Sequence, residues 1–115
     1  MKVFWKAMLY SFALLSIVAG LPKLLLMPQE VGFFTEAGLG IAPLLLLGAL
    51  QVAGGILTLI IGFRQFGLFL VIVGFLASVL VLTITDNMAF AAVSMLPVLV
   101  GIRLWMLERM AKSEA

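Results

Sequence analysis

The sequence predicts an all-α fold, a bundle of four transmembrane helices with a short interfacial helix between the first and second spans. Three observations carry this. Of 115 residues, 65% are hydrophobic and 10% charged, whereas soluble domains average about 45–50% apolar and about 25% charged. The apolar residues fall into four runs, each long enough at ~1.5 Å per residue to cross a hydrocarbon core of about 30 Å. Within those runs, small and polar residues recur every three or four positions, the spacing that lines one face of a helix. A soluble domain of this size has too little core to hide so many large apolar side chains, and the same composition excludes a disordered chain.

The chain reads as one domain, 1–115, with spans at about 3–24, 43–63, 67–84 and 88–107. The first run carries Lys6 near its start and Lys23 near its end, and both can extend outward along the helix. A cleaved signal peptide is the competing reading, because Lys2 and Lys6 precede apolar sequence; Val18-Ala19-Gly20 is a poor cleavage site. Residues 27–42 are mixed in character. Pro28 suits a first helical turn, Glu30 favours a helix N-terminus, and Gly38 or Gly40 can end the segment. Phe33 and Phe34 would then dip into the headgroup boundary while Glu30 and Glu36 stay wet.

The second span holds only Gln51 and Thr58 as polar side chains apart from its glycines. Arg64-Gln65 reads as a tight connection to the third span, and Thr85-Asp86-Asn87 as a polar turn before the fourth. From Glu108 onward the polar tail is expected to fray.

Charge gives an orientation. One side of the spans collects Lys2, Lys6, Arg64, Arg103, Arg109 and Lys112, and the other holds only Lys23. This bias places both termini in the cytoplasm, with the mixed segment and the Asp86 turn outside, as in a bacterial inner membrane. Trp5 and Trp105 fit an aromatic belt at the inner boundary, where Arg103 is expected beside Trp105. The net charge of +2 is spread over helix ends, so it forms no patch for nucleic acid. With neither Cys nor His in the chain, disulfides, thiolate redox chemistry and imidazole-ligated haem or zinc are excluded, and no protein-ligated haem or zinc is expected. No span carries a mid-membrane carboxylate, which separates the chain from proton-coupled antiporters of the small multidrug-resistance type.

The packing faces read as Ser16, Gly20 and Lys23 on the first span and Gly48, Gln51, Gly55, Thr58 and Gly62 on the second. The third contributes Gly67, Gly74, Ser78 and Thr85, and the fourth Ser94, Pro97 and Gly101. Their heptad-like spacing points to left-handed packing. Pro97 cannot donate to the carbonyl of Val93, and Ser94 is placed to satisfy it.

Gln51 has two readings, as interhelical glue bonded to a neighbouring span or as a ligand contact. Lys23 likewise reads either as an interfacial anchor paired with Glu30 or Glu36, or as a cationic contact for an anionic or quinone-like ligand. The candidate ligand-binding set is therefore Lys23, Gln51, Ser16, Gly20 and Glu36.

The run Ala19-Gly20-Leu21-Pro22-Lys23-Leu24, the following Phe33-Phe34 with its glycines, and LGALQVAGGILTLIIGFRQFG resemble the DoxX-like membrane protein family. The likeness covers about residues 10–70, and the last two spans match only in general character. It implies a bacterial four-helix bundle associated with membrane oxidoreductase complexes, one branch of which passes electrons from thiosulfate to quinone. Gln51 stands where a Glu is common in that pattern, and an amide takes up no proton near neutral pH.

The expectation is an accessory or ligand-binding subunit of a membrane redox or stress-response assembly, holding a quinone or lipid and joined to a membrane or peripheral protein partner. If enzymatic, it would be an oxidoreductase subunit whose cofactor a partner supplies. The alternative is a small transporter or channel formed as a homo-oligomer.

Overall fold

The computed structural model describes residues 3–114, with side chains through residue 110. Among these residues it is entirely helical: α1 Val3–Leu24, α2 Pro28–Glu36, α3 Ile41–Leu59, α4 Arg64–Ile84 and α5 Met88–Glu114, with a 3-10 turn at Ile61–Phe63 between α3 and α4. Four stretches are long and apolar enough to cross a membrane, Val3–Leu24, Ile41–Leu59, Ile61–Ile84 and Met88–Met110. Only 22–39% of each is buried within the protein, so lipid must cover the rest and the chain is an integral membrane protein. The long axis of 46 Å matches a bilayer of about 40–45 Å with its headgroup layers.

The breaks between helices have local causes. α2 starts with Pro28 in its first turn, where the missing N–H costs nothing. It ends at Gly38, whose φ of +77° lets Gly38 N–H donate to Thr35 O (3.0 Å) and Leu39 N–H to Phe34 O (2.8 Å). α1 and α4 end in the same motif on residues that fit it less well, Leu26 at φ 54° and Asp86 at φ 61°. Leu26 holds a conformation that a bulky side chain adopts only at a cost of about 1–2 kcal/mol, on the loop that carries α1 into α2.

Two boundaries differ from the sequence reading. The α3–α4 connection is residues 60–63, not Arg64-Gln65: Arg64 opens α4 while its Nε donates back to Thr58 O at 2.9 Å, capping α3. α5 continues through Pro97 to Glu114, because Glu, Arg, Met, Ala and Lys are good helix formers and no glycine or proline stops them. A polar tail ends a span without ending a helix.

The spanning helices pack in chain order, α1 on α3, α3 on α4 and α4 on α5, with a much thinner seam between α5 and α1. Glycines make the two seams of α3. A Cβ on Gly20 would lie 2.6 Å from Gly48 O, one on Gly48 3.0 Å from Gly20 O, and one on Gly55 2.7 Å from Ala13 O. These register pairs run antiparallel. On the other side of α3, a Cβ at Gly67 would meet the backbone of Thr58 and Leu57, and one at Gly54 would lie 3.0 Å from Val71 N. α3 thus has two small-residue faces where the sequence showed one stripe, because it sits between two neighbours. Gly62 leaves that stripe altogether and lies exposed in the connection.

One end of the bundle gathers the α1 N-terminus, the α3–α4 connection and the C-terminal half of α5. Three arginines lie over aromatic rings there: Arg64 on Tyr10 (6.0 Å), Arg103 on Trp5 (5.5 Å) and Arg109 on Trp105 (5.4 Å). Arg103 therefore crosses to α1 instead of resting beside Trp105. Lys2 and the Lys112 side chain lie outside the described residues. At the opposite end, Phe34 is buried against Leu44, Leu47 and Val81, with Phe33 packed on the same cluster. The α2 aromatics turn into the protein, not toward a headgroup layer.

Candidate functional site

Beneath α2, the α2 end of the bundle holds a half-open cavity of about 240 Å³. All five helices contribute: Ala19 and Lys23 from α1, Gln29, Glu30, Phe33 and Phe34 from α2, Gln51 from α3, Phe75, Ser78, Val81 and Leu82 from α4, Phe90 and Ser94 from α5. Gln29 is exposed and Glu30 half-buried, so they mark the mouth. Gln51, fully buried, forms the floor.

The floor depends on two neighbours. Ser16 Oγ donates to the backbone oxygen of Gln51 at 2.6 Å, pinning α3 to α1 behind the cavity. Gly74 leaves room for the Gln51 side chain, since a Cβ there would lie 2.7 Å from Gln51 Cγ. The amide that results has no partner: neither Nε2 nor Oε1 has a hydrogen bond among the described residues. A buried amide left this way costs about 1–3 kcal/mol, and native proteins rarely leave one without a reason. The glue role belongs to the Gln51 main chain and the Ser16 hydroxyl.

At the mouth, Lys23 Nζ donates to Ala19 O one turn back on its own helix at 3.1 Å and lies 3.6 Å from Glu30 Oε1. The pair balances its own charge, so the cavity presents no net ion. Of the two carboxylates considered from sequence, Glu30 takes this place, while Glu36 is exposed and outside the lining. Ser78 Oγ donates to Gly74 O at 3.1 Å and keeps its acceptor capacity. Ser94 does not satisfy the Val93 carbonyl; its hydroxyl makes no hydrogen bond among the described residues and lines the cavity.

The structure thus brings Lys23 and Gln51 into one cavity, places Ser16 and Gly20 behind its wall at the α1–α3 crossing, and leaves Glu36 outside. Sequence reasoning missed Glu30 as part of the lining, the hydroxyls of Ser78 and Ser94 as cavity groups, and the aromatic walls of Phe33, Phe34, Phe75 and Phe90. The one usable signal was the small-polar spacing that already set Ser78 and Ser94 on the inward faces of their spans. Among the described residues no cluster of His, Cys, Asp or Glu could hold a metal ion. The arrangement offers an amide with a free donor and a free acceptor, two hydroxyls, flat apolar walls and a balanced charge pair, which is chemistry for holding a neutral polar ring. No family model, curated protein or solved structure matches the chain.

Proposed function

We propose that the chain is a ligand-binding membrane protein whose cavity seats the carbonyl-bearing ring of a quinone-type amphiphile, as an accessory subunit of a membrane redox or stress-response assembly. The observation that carries this is the Gln51 amide, buried with donor and acceptor unused. A ring carbonyl accepts from Nε2, and a ring hydroxyl, in the reduced form, donates to Oε1. The Lys23–Glu30 pair favours a neutral head over an anion because its charge is already compensated. The DoxX-like resemblance supports the redox setting, and the one-sided lysines and arginines support a bacterial inner membrane with the arginine end cytoplasmic. α2 then lies at the outer interface above a left-handed bundle.

The test is titration of the purified protein in lipid nanodiscs with a decyl-substituted benzoquinone, followed by thermal shift. Wild type is expected to gain stability with ligand concentration by mass action, and Gln51→Leu to show no gain. Equal shifts in the two proteins would end the reading. Copurification from native membranes tests the accessory role, and a chain that always isolates alone counts against it.

A further inference from the structure

The cavity is too small for a whole amphiphile. At about 240 Å³ it falls below the about 300–1,000 Å³ typical of drug-sized ligands, so a head seated on Gln51 leaves its hydrocarbon chain to go elsewhere. The structure holds a second space for it. An apolar groove of about 210 Å³ lies between α1 and α5, lined by Met8, Ser11, Phe12 and Leu15 on one side and Leu96, Pro97 and Val100 on the other.

Three features join the spaces. Ala19 lines the cavity and Leu15 the groove; four residues apart, they share one face of α1. On α5, Ser94 and Pro97 stand in the same relation at three residues. Between them Phe12 from the groove and Phe75 from the cavity pack with ring centroids 6.1 Å apart, both buried in a core cluster with Leu9, Val98 and Leu104 that a chain must part. No glycine-to-backbone contact closes the α1–α5 seam at this level, whereas the α1–α3 and α3–α4 seams are closed by such contacts. From Ala19 to Met8 the seam runs ~16 Å along α1, a path for one extended chain.

We propose that the ligand is a single-chain amphiphile and that the α1–α5 seam is the seat of its chain. The head lies against Gln51, and the chain passes Phe12 and Phe75 into the groove beside Val100. This rests on the quinone-type reading of the cavity, and it assigns the groove to the same molecule instead of to bulk acyl chains.

The experiment uses the full chain in nanodiscs and two probes, a benzoquinone ring without a chain and the same ring with a decyl chain, both dosed per mole of lipid. The quantity read is the ratio of their affinities. In wild type the chain is expected to improve affinity by about tenfold or more. Val100→Trp, which fills the groove, is expected to bring the ratio to about one, while Val100→Ala, which widens it, keeps the ratio. A photoreactive group at the chain terminus should label α1 and α5 around Met8 and Val100. An unchanged ratio in Val100→Trp, with ring binding intact, overturns the chain seat and leaves the ring site standing. Failure of both probes in wild type overturns both. Should decanoic acid or a decanoyl lysophospholipid label the groove as strongly as the quinone, bulk chains occupy it and the proposal fails.

Discussion

α1 presents two faces to the bundle, and they pack by opposite rules. Toward α3 it offers Ala13, Ile17 and Gly20 to Gly55 and Gly48, so backbone meets backbone and the Ser16 hydroxyl reaches a main-chain oxygen. Toward α5 it offers Met8, Phe12 and Leu15 to Leu96, Pro97 and Val100, and a groove remains. In lipid the hydrophobic effect gives helices little reason to close on one another. Backbone-to-backbone approach therefore comes where Cβ atoms are missing, as on both faces of α3, whereas the thin α1–α5 seam of large side chains leaves a groove that suits molecules resembling lipid. Gly101 lets Phe12 pack closely on α5, since a Cβ there would lie 2.7 Å from Phe12 Cζ, and at the arginine end of the seam Arg103 lies over Trp5.

The strongest way to break this comparison is to add bulk to each kind of seam. Gly67→Ala places a Cβ against the backbone of Thr58, Leu57 and Gly54, where no side chain can rotate away, so α3 and α4 must separate. The expected cost is about 3 kcal/mol, the upper end for overpacking, read as a lower unfolding midpoint in detergent. Leu15→Phe enlarges the other seam at a residue already 46% exposed and should change stability by under about 0.5 kcal/mol. Similar losses in both variants would remove the distinction between the seams.

Next in size is the cavity floor. Gln51→Leu replaces an amide without partners by an apolar side chain of similar volume, so the unliganded protein should become more stable by about 1–2 kcal/mol. The same change removes the ligand-dependent shift. Opposite signs in one variant are what a binding residue gives. A structural amide gives destabilisation, and that outcome would return Gln51 to the role of glue.

Much of this architecture was legible in the sequence, and the reason it stopped being legible is physical. The four apolar runs fix the spanning helices, since length and hydropathy are properties of a segment by itself. Pro28 and Gly38 bound α2 for the same reason: an absent N–H and a positive φ are local matters. The burial of Ser16, Gly20 and Lys23 together follows from 3.6-residue periodicity. Whatever depends on a neighbour's identity was hidden. Periodicity shows that Gln51 faces inward but not that α4 offers only Gly74 there. It cannot choose Glu30 over Glu36 for Lys23, because that depends on a loop whose Leu26 takes a left-handed conformation. Nor does it show that Phe34 turns inward, which requires Leu44, Leu47 and Val81 to be waiting.

Ser16→Ala tests the tight face more gently. It removes a 2.6 Å bond to the Gln51 main chain, and interhelical hydrogen bonds in membranes average about 0.6 kcal/mol with a maximum near ~1.7. A loss in that range, with ligand affinity reduced because the floor shifts, fits a residue behind the wall. Undiminished affinity together with lost stability would separate the α1–α3 crossing from the site.

The smallest effect on stability, and the sharpest on mechanism, belongs to the pair at the mouth. Lys23 and Glu30 lie 3.6 Å apart with Glu30 still partly in water, so a double-mutant cycle should give a coupling under about 1 kcal/mol. Ligand binding should respond more. Lys23→Met leaves Glu30 uncompensated at the rim of a cavity suited to a neutral head, and affinity should fall severalfold. Adding Glu30→Gln restores the charge balance without restoring the amine, so the double variant should return to within about twofold of wild type. If it stays as weak as the single variant, the ammonium itself touches the ligand, and the head is one that carries negative charge. That result would move Lys23 from the balance of the cavity to its contact surface, and it would turn the open seam into a path for an anionic amphiphile in place of a quinone.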